Sequence, residues 1–310
     1  RDVFLFTYLM AKAGNIRMVV LDDDPTGIQT VQGCLLVTRW DDDTLRKAFQ
    51  DEVPFFYILT NTRALTRSEA ELVTREAMEA VVRVNRDFGF RLAVVSRSDS
   101  CLRGHFPLEP DVMRQVLVSH GLSVADKTPF CPALIEAGRV TIDGVHYMKD
   151  ETGGLIPVSD TEFARDNVFA YHSSVLREYI MEKGANPDDY IIVDAKDYDQ
   201  LHAFAFKCID IMQADNAPAA IVIRSSSSLP RAIADTIWQV QEKQAEVKAV
   251  GSGVGIFIVG SHVQKTTRQL QQLLSTQGTQ GVEIDVRQLL DAPESLAKNT
   301  IDTLLILSCA

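Results

Sequence analysis

Three consecutive aspartates, Asp22, Asp23 and Asp24, follow an apolar run in the stretch VVLDDDPTG, residues 19–27. Neighbouring ionised carboxylates repel one another, and burying an unpaired one costs several kcal/mol or forces it to take up a proton. The run is therefore either a solvated turn or a group that acts on a cation, a proton or a phosphoryl group.

The spacing Asp22-x-Asp24-x-Thr26 after an apolar run is similar to the first motif of haloacid-dehalogenase phosphatases. In that motif one aspartate attacks phosphorus and the next but one handles the proton. Thr60 and Asn61 would fit a second motif, whereas residues 193–197, VDAKD, supply the later lysine and acidic pair only loosely. A Mg²⁺-dependent phosphatase that uses Asp22 and Asp24 is thus one hypothesis.

A second polar cluster is the loop SRSDSCLRGH, residues 96–105, which follows the apolar run RLAVV. In an open α/β sheet, ligands bind in the loops at the carboxyl ends of the strands. The candidate ligand-binding residues of this loop are Arg97, Asp99, Ser100, Arg103, Gly104 and His105. Arginines can hold a carboxylate through paired hydrogen bonds, and aspartates and serines can bind hydroxyls. The loop predicts a pocket for a polyhydroxy acid, unless Arg103 pairs with Asp99 and only holds the loop.

A third set of polar candidates lies in residues 136–148 and 157–166: Arg139, His146, Thr161, Glu162 and Asp166. His146 could equally be a packed histidine beside Tyr147. Glu162 and Asp166 lie four residues apart and could equally begin a solvated helix. Both interpretations stay open at this point.

Short apolar runs predict strands at 17–21, 34–38, 55–59, 91–95, 190–193, 219–223, 255–259 and 303–307. Most are apolar throughout, as in strands that are covered on both faces. Amphipathic helices are predicted over 66–88, from Pro110 to Gly121, and over 261–278. This alternation predicts an α/β fold with a largely parallel sheet and flanking helices. The carboxyl ends of the strands at 17–21, 55–59 and 91–95 should then converge on one pocket.

The domain organisation is less regular. Residues 1–15 are predicted to form a helix that packs on the first strand. Residues 126–175 show little periodicity, and a long irregular segment in a compact domain is usually functional. The polar segment 242–253 predicts a boundary between domains 1–245 and 254–310. We expect residues 254–310 to be only the beginning of this second α/β domain.

Composition excludes several classes of partner. The net charge of −11 argues against nucleic acid or an anionic membrane as the main partner, and no apolar run is long enough to span a bilayer. The five cysteines lack metal or disulfide spacing, which favours reduced thiols in a cytoplasmic protein. A homo-oligomer is left open.

Taken together, the polar clusters resemble motifs of the four-carbon acid sugar kinase family, whose members carry DDxTG, TNSR-like, DSTLRGH-like and GRxT…HY…TEFAxD segments. The corresponding stretches here are residues 23–27, 60–63, 99–105, 139–147 and 161–166. Residues 259–270, VGSHVQKTTRQL, resemble the start of the family's nucleotide-binding domain. Cys101 stands where the family usually has threonine.

The resemblance implies an ATP- and Mg²⁺-dependent kinase that phosphorylates the terminal hydroxyl of threonate, erythronate or an oxo-tetronate. Asp23 or Asp24 would orient or deprotonate the attacking hydroxyl, because phosphoryl transfer depends mainly on positioning. Arg103, with Arg63 or Arg97, would hold the carboxylate of the substrate.

The other roles follow from the same resemblance. The further substrate-binding candidates are Asp99, Ser100, Gly104, His105, Arg139 and Glu162. Ser261 and Lys265 would bind the nucleotide phosphates at the start of a helix. Gln264 stands where a Walker loop has glycine, and the glycine-rich loops of the family's nucleotide domain are not found here, so a non-catalytic acid-sugar-binding module is a third hypothesis.

Overall fold

The computed structural model describes residues 15–150, 152–214, 216–238, 257–261 and 264–292, together with residues 294, 298 and 300. Contacts between residues divide the chain into two units, Arg1–Gln244 and Ala245–Ala310. In the described residues, no helix combines the length and the apolar composition that crossing a bilayer requires.

Most strands of the main sheet are separated along the chain by helices. The strands are β1 (Ile16–Asp22), β2 (Leu35–Val37), β3 (Phe55–Leu59), β4 (Arg91–Arg97), β5 (Thr128–Cys131), β6 (Arg139–Ile142), β7 (Val145–Lys149), β8 (Leu155–Pro157), β9 (Tyr190–Ile192) and β10 (Ala220–Ser225). The α-helices are α1 (Asp42–Gln50), α2 (Arg67–Asn85), α3 (Leu108–Ser119), α4 (Leu176–Glu182), α5 (Tyr198–Gln213), α6 (Ser228–Trp238), α7 (Gln264–Leu274) and α8 (Val286–Asp291).

Seven parallel strands form the main sheet in the order β2-β3-β1-β4-β10-β5-β9. This confirms the predicted α/β fold with a parallel sheet and flanking helices. From β1 the chain passes to β2 at the edge of the sheet, returns to β3 beside β1, and then places β4 on the other side of β1. The topological switch point, where open α/β sheets bind ligands, therefore lies between β1 and β4.

The two faces of the sheet are covered by different helices. On β1, Val19 and Leu21 pack with α1, α2 and α3, whereas Met18 and Val20 pack with α5 and α6. Because successive side chains of a strand point to opposite faces, a strand that is covered on both sides is apolar throughout. This burial explains why the strand runs were visible in the sequence.

The segment 126–175 is more regular than its composition indicated. It contains β5 and a separate antiparallel sheet in the order β6-β7-β8, followed by short 3₁₀ turns at Val158–Asp160 and Glu162–Arg165. Each of these strands has three to five residues. Runs this short give little periodicity, which is why the sequence did not reveal them.

In the second unit, α7 confirms part of the helix that was predicted over 261–278. The strand predicted at 255–259 is wrong for the residues that are described, because 257–259 have no strand structure and Ile258 is 95% exposed. A strand requires a pairing partner, and the described part of this unit contains no other strand. The predicted strand at 303–307 and the predicted helix at 1–15 fall outside the described residues, apart from Asn15.

Candidate functional site

The polar clusters after β1, β3 and β4 meet at one edge of the main sheet. Asp22 lies opposite Leu59 of β3 and Arg97 of β4 in the strand register, so the three strands end level with one another. Side chains after these strands then contact across the switch point: Arg63 reaches Asp23, and Ser98 reaches the same carboxylate. The structure therefore brings the first two polar clusters into one site.

Asp23 is buried with both carboxylate oxygens occupied. Arg63 donates from Nη2 to Oδ1 at 2.5 Å and from Nε to Oδ2 at 3.1 Å, and the Ser98 hydroxyl donates to Oδ2 at 2.5 Å. A paired guanidinium forms the strongest class of carboxylate hydrogen bond. Asp23 is thus held as the anchor of Arg63, and the structure does not present it as the catalytic base that the sequence suggested.

Asp24 has the opposite environment, although it is the next residue. Its side chain is 28% exposed; Oδ1 accepts hydrogen bonds from the backbone N–H and the hydroxyl of Thr26, and Oδ2 lies 3.4 Å from Arg63 Nη1. Burial alone would raise the pKa of Asp24, but the Thr26 hydrogen bonds and the charge of Arg63 outweigh it and hold that pKa below its usual range. Asp24 is the accessible, ionised carboxylate of the three.

Asp22 does not suit the phosphatase hypothesis. Its side chain is 1% exposed, its Oδ1 accepts from Arg97 Nη1 at 2.9 Å, and its carboxyl packs so closely on Gly27 that a Cβ there would lie 2.0 Å from Oδ1. Burial raises the pKa of Asp22 to about 7, although Arg97 opposes this. A carboxylate enclosed in this way cannot reach a phosphorus atom, so the geometry does not support Asp22 as a nucleophile.

Arg97 was predicted to bind substrate, but the structure buries it. It is 3% exposed, and it donates to Asp22 and from Nε to the Ser227 hydroxyl at 3.2 Å. Ser227 belongs to the serine run after β10. Arg97 therefore ties the ends of β1, β4 and β10 together and presents little surface to a ligand.

Arg103 forms a double hydrogen bond with Asp99, the arrangement that the sequence offered as the alternative to a carboxylate clamp. Nε donates to Asp99 Oδ2 at 2.7 Å and Nη2 to Oδ1 at 3.3 Å. Burial alone would raise the pKa of Asp99, but the Arg103 hydrogen bond and the charge of Arg63 hold it below its usual range. The remaining Nη1 of Arg103 lies 3.7 Å from Asp166 Oδ2.

Three guanidinium groups, those of Arg63, Arg97 and Arg103, form what we term the arginine cluster. Arg63 Nη1 lies 4.0 Å from Asp99 Oδ1, so that one oxygen stands between Arg63 and Arg103. The side chains of Arg63 and Arg103 are 18% and 25% exposed, in contrast to 4% for Arg97. The accessible positive charge of the cluster therefore comes from Arg63 and Arg103.

Gly104 is required by both conformation and space. Its φ is +114°, and a Cβ would lie 2.2 Å from Ser98 Oγ and 3.0 Å from Asp23 Oδ2. Only glycine adopts such a backbone without strain while it approaches other groups this closely. Its role in this structure is to allow the loop to pack on Asp23.

His105 and Ser100 hold the loop through backbone contacts. His105 Nε2 donates to the carbonyls of Thr62 and Leu65 at 3.0 and 3.1 Å, and its ring packs edge-on against Phe169. The Ser100 carbonyl accepts from His146 Nε2 at 2.7 Å. The structure therefore gives His105 a supporting position, and it places Ser100 at 6% exposure.

His146 is the packed histidine that the sequence left open. It is fully buried, and Nδ1 lies 2.9 Å from Thr141 Oγ1. Burial lowers the pKa of His146 to about 4, so the ring is neutral at pH 7. Its two hydrogen bonds join β6 and β7 to the loop after β4.

The third polar cluster contributes differently from expectation. Glu162 is exposed on its 3₁₀ turn, whereas Asp166 faces Arg103. Arg139 Nη1 donates to the Ala137 carbonyl at 2.6 Å. Of the acidic pair at 162 and 166, the structure thus brings Asp166 to the arginine cluster.

Sequence reasoning missed Glu109, which lies at the start of α3 beneath the site. It is 4% exposed and accepts hydrogen bonds from Thr62 Oγ1 at 2.5 Å and Ser96 Oγ at 3.1 Å. Burial raises its pKa to about 7, and the charge of Asp23 acts in the same direction. A carboxylate directly before Pro110 reads as an ordinary first-turn acid, so the sequence contains no signal of this burial.

The predicted nucleotide residues lie in the second unit. Ser261 is exposed, Thr266 Oγ1 lies 3.1 Å from its Oγ, and Lys265 lies in the first turn of α7. In the part of the chain that is described, no group of three or more His, Cys, Asp or Glu side chains could hold a metal ion.

Solved structures of the same fold include proteins from two bacteria, Bordetella bronchiseptica and Haemophilus influenzae. A domain of unknown function from Bordetella bronchiseptica, a domain-swapped dimer with bound citrate, is 21% identical with a TM-score of 0.52 over 72% of this chain and 57% of that chain. In a second crystal form, the same domain is 22% identical with a TM-score of 0.51 over 72% of this chain and 56% of that chain. A Haemophilus influenzae protein of that family of unknown function is 16% identical with a TM-score of 0.54, over 92% and 71%.

These similarities support the fold, and the chain spans little more than half the length of the Bordetella protein. The comparison with curated proteins gave no match. Residues 18–187 match the family model described as "Sugar-binding N-terminal domain". That match includes most of β1 and all of β3 and β4, with the polar residues that follow them. Because it covers more than half of the chain, the protein belongs to the sugar-binding N-terminal domain family.

Proposed function

We propose that this chain is an ATP-dependent kinase that phosphorylates the terminal hydroxyl of a four-carbon sugar acid such as threonate or erythronate. One observation carries the proposal: an accessible carboxylate, Asp24, lies 3.4 Å from Arg63, which shares Asp99 with Arg103 at the switch point of the sheet. Asp24, which can bind a hydroxyl, thus lies beside Arg63 and Arg103, which can bind a carboxylate. Membership of a sugar-binding family supports the same substrate class.

The carboxylate of the sugar acid would bind at Arg63 and Arg103. The chain carries a net charge of −11, so an anionic ligand needs a local positive group to overcome the surrounding field. The Nη1 atoms of both residues make their carboxylate contacts at 3.4 Å or more, so these contacts are weaker than the short bonds to Asp23 and Asp99. A ligand carboxylate can therefore compete for these two atoms. The Bordetella domain is described with bound citrate, which is itself a hydroxy acid, and this supports a ligand of the same chemical class.

Asp24 would orient the hydroxyl that is phosphorylated. Its lowered pKa keeps it ionised and makes it a hydrogen-bond acceptor rather than a strong base. Such a role suits phosphoryl transfer, in which positioning and charge stabilisation matter more than prior proton removal. Arg63, held by Asp23, would stabilise the negative charge beside that hydroxyl.

ATP would supply the phosphoryl group and bring Mg²⁺ with it. Ser261 and Lys265 fit a phosphate by type, since one precedes α7 and the other lies in its first turn, where backbone N–H groups and the helix dipole favour an anion. Mg²⁺ is commonly held by substrate phosphates with only one or two protein carboxylates, so it would enter the site bound to ATP.

A non-catalytic acid-sugar-binding module is the second candidate. The family match lies entirely within the first unit, which contains the whole arginine cluster and does not include Ser261 or Lys265. A binding function would need only these residues.

The test is to incubate threonate or erythronate with Mg-ATP and to measure the formation of ADP and of the phosphorylated acid. Calorimetry of each acid with and without Mg-ATP separates the two candidates. The kinase requires turnover, and we expect nucleotide to strengthen acid binding. Acid binding without turnover and without any effect of nucleotide would establish the binding module instead. Release of phosphate from a phosphorylated acid in the absence of ATP would favour the phosphatase.

A further inference from the structure

Glu109 connects two of the loops that form the candidate site. Its Oε1 accepts from Thr62, which directly precedes Arg63, and its Oε2 accepts from Ser96, which directly precedes Arg97. The backbone N–H of Glu109 also donates to the His105 carbonyl at 3.0 Å. One buried carboxyl group therefore contacts the chain beside two members of the arginine cluster.

The same hydrogen-bond chain continues to the aspartate run. Thr62 Oγ1 lies 3.4 Å from Thr60 Oγ1, and the Thr60 hydroxyl donates to the Asp22 carbonyl at 2.9 Å. The backbone N–H of Arg63 donates to the Asp23 carbonyl at 3.1 Å. A movement of Thr62 would thus move Arg63 relative to the carboxylates that it holds.

Charged groups face Glu109 from several elements. Asp23 after β1 disfavours its ionised form, and Arg224 at the end of β10 favours it. Arg63 and Arg97 adjoin its two hydroxyl partners, and the His105 carbonyl accepts its backbone N–H. Burial raises the pKa of both Glu109 and Asp22 to about 7.

We propose that Glu109 is a positioning residue that couples the arginine cluster of the candidate site to the binding of a proton, an inference that rests on the proposed function. In the ionised state both Thr62 and Ser96 must donate to it. In the protonated state one hydroxyl turns to accept instead, and the negative charge beneath the cluster is removed. The proton thus changes both the potential at the site and the hydrogen bonding of the loop that carries Arg63.

The direction of this coupling follows from charge. A four-carbon sugar acid is ionised throughout the neutral range, since carboxyl groups titrate near pH 4. Its negative charge favours protonated Glu109, so binding near pH 7 takes up a fraction of a proton. Ionised Glu109 conversely weakens binding, and affinity for the acid should fall by about three- to tenfold between pH 6 and pH 8, as expected for repulsion between two like charges near a protein surface.

Calorimetry of threonate and erythronate between pH 6 and pH 8, in two buffers with different ionisation enthalpies, measures affinity and proton uptake together. We expect the wild type to show both effects. Glu109→Gln keeps the shape and one acceptor, so it should bind like the wild type at pH 6, take up no proton and show a flat pH profile. Asp111→Asn, an exposed acid on the same helix, is the matched control and should behave as the wild type.

Four results would overturn the inference. Glu109→Gln could retain the pH profile of the wild type, and loss of the profile in Asp22→Asn alone would then assign the proton to Asp22. Glu109→Gln could also weaken sugar-acid binding, relative to the wild type, by the same factor at every pH, which would make Glu109 a structural residue. Failure of both acids to bind the wild type would overturn the inference and the proposed function together, whereas binding without proton uptake would overturn the inference alone.

Discussion

Asp22, Asp23 and Asp24 show how three identical side chains acquire different chemistry from their environment. Asp22 is enclosed beside Arg97 and Gly27, Asp23 is held by Arg63 and Ser98, and only Asp24 remains accessible. Of the two catalytic candidates, Asp23 and Asp24, only Asp24 is accessible enough to contact a substrate hydroxyl in the proposed reaction.

If the chain is the proposed kinase, we expect Asp24→Asn to lower kcat by about a hundredfold, because the amide orients the hydroxyl without the negative charge of the carboxylate. Affinity for the acid should change by less than about threefold, since Arg63 and Arg103 remain. Kinetics and calorimetry on the same preparation measure both effects. Asp43→Asn on the surface of α1 is the control. An unchanged kcat would remove Asp24 from the mechanism.

Arg103→Ala should weaken sugar-acid binding by at least about tenfold, because charge-assisted hydrogen bonds are worth roughly 1.5–3 kcal/mol each and 1.4 kcal/mol is a factor of ten. It should also lower the melting temperature, since Asp99 loses its partner. Arg103→Lys should recover only part of the affinity, because lysine lacks the planar fork. If affinity holds in both variants while stability falls, Arg103 serves only to hold the loop with Asp99.

Gly104→Ala should destabilise the protein by about 1–3 kcal/mol, because it combines a strained φ of +114° with a Cβ placed 2.2 Å from Ser98 Oγ. Gly121→Ala is a matched control, since its φ is +81° but nothing lies within 4 Å of its Cβ position. Chemical denaturation compares the two. Equal losses would mean that backbone strain alone matters and that the contact with Ser98 relaxes without cost.

At the scale of the elements, the helix that follows the Arg63 turn begins at a defined position. Thr66 caps α2 by accepting from the Glu69 backbone N–H, and the Glu69 side chain returns to the Thr66 N–H. This capping box satisfies two of the free N–H groups of the first turn. It sets where the helix starts and thus how long the turn that carries Arg63 can be.

Thr66→Ala should reduce the free energy of unfolding by about 1 kcal/mol, the usual contribution of a helix cap. Ser68→Ala, within the same turn, should have a smaller effect. Urea denaturation of both variants measures the difference. A loss no larger for Thr66→Ala than for Ser68→Ala would show that the cap does not stabilise α2.

At the scale of the whole molecule, ligand binding should increase the stability of the folded state. A ligand at a hundred times its Kd stabilises the folded state by about 2.7 kcal/mol, so threonate or erythronate should raise the melting temperature in a concentration-dependent manner. The corresponding neutral polyols, threitol and erythritol, should not, because they lack the carboxylate that Arg63 and Arg103 would bind. Equal stabilisation by acid and polyol would contradict the carboxylate assignment.

Much of the fold was readable from the sequence because its signals are local. The runs at 17–21, 55–59 and 91–95 are apolar because both faces of the main sheet are covered, and polar residues follow each run. Parallel strands place their carboxyl ends at one edge, so these clusters could be expected to meet. The antiparallel strands β6 to β8 could not be read, since they are short and only partly buried.

What the sequence determined by itself was therefore the fold class and the residue types that surround the switch point. Only the tertiary structure decided their roles, because each role depends on a partner distant in the chain. Arg63 reaches Asp23 across 40 residues, Thr62 reaches Glu109 across 47, and Arg97 reaches Asp22 across 75. Burial and pairing at these distances make one aspartate accessible and enclose two, and they convert an ordinary first-turn glutamate into the centre of a buried network; no local pattern records such contacts.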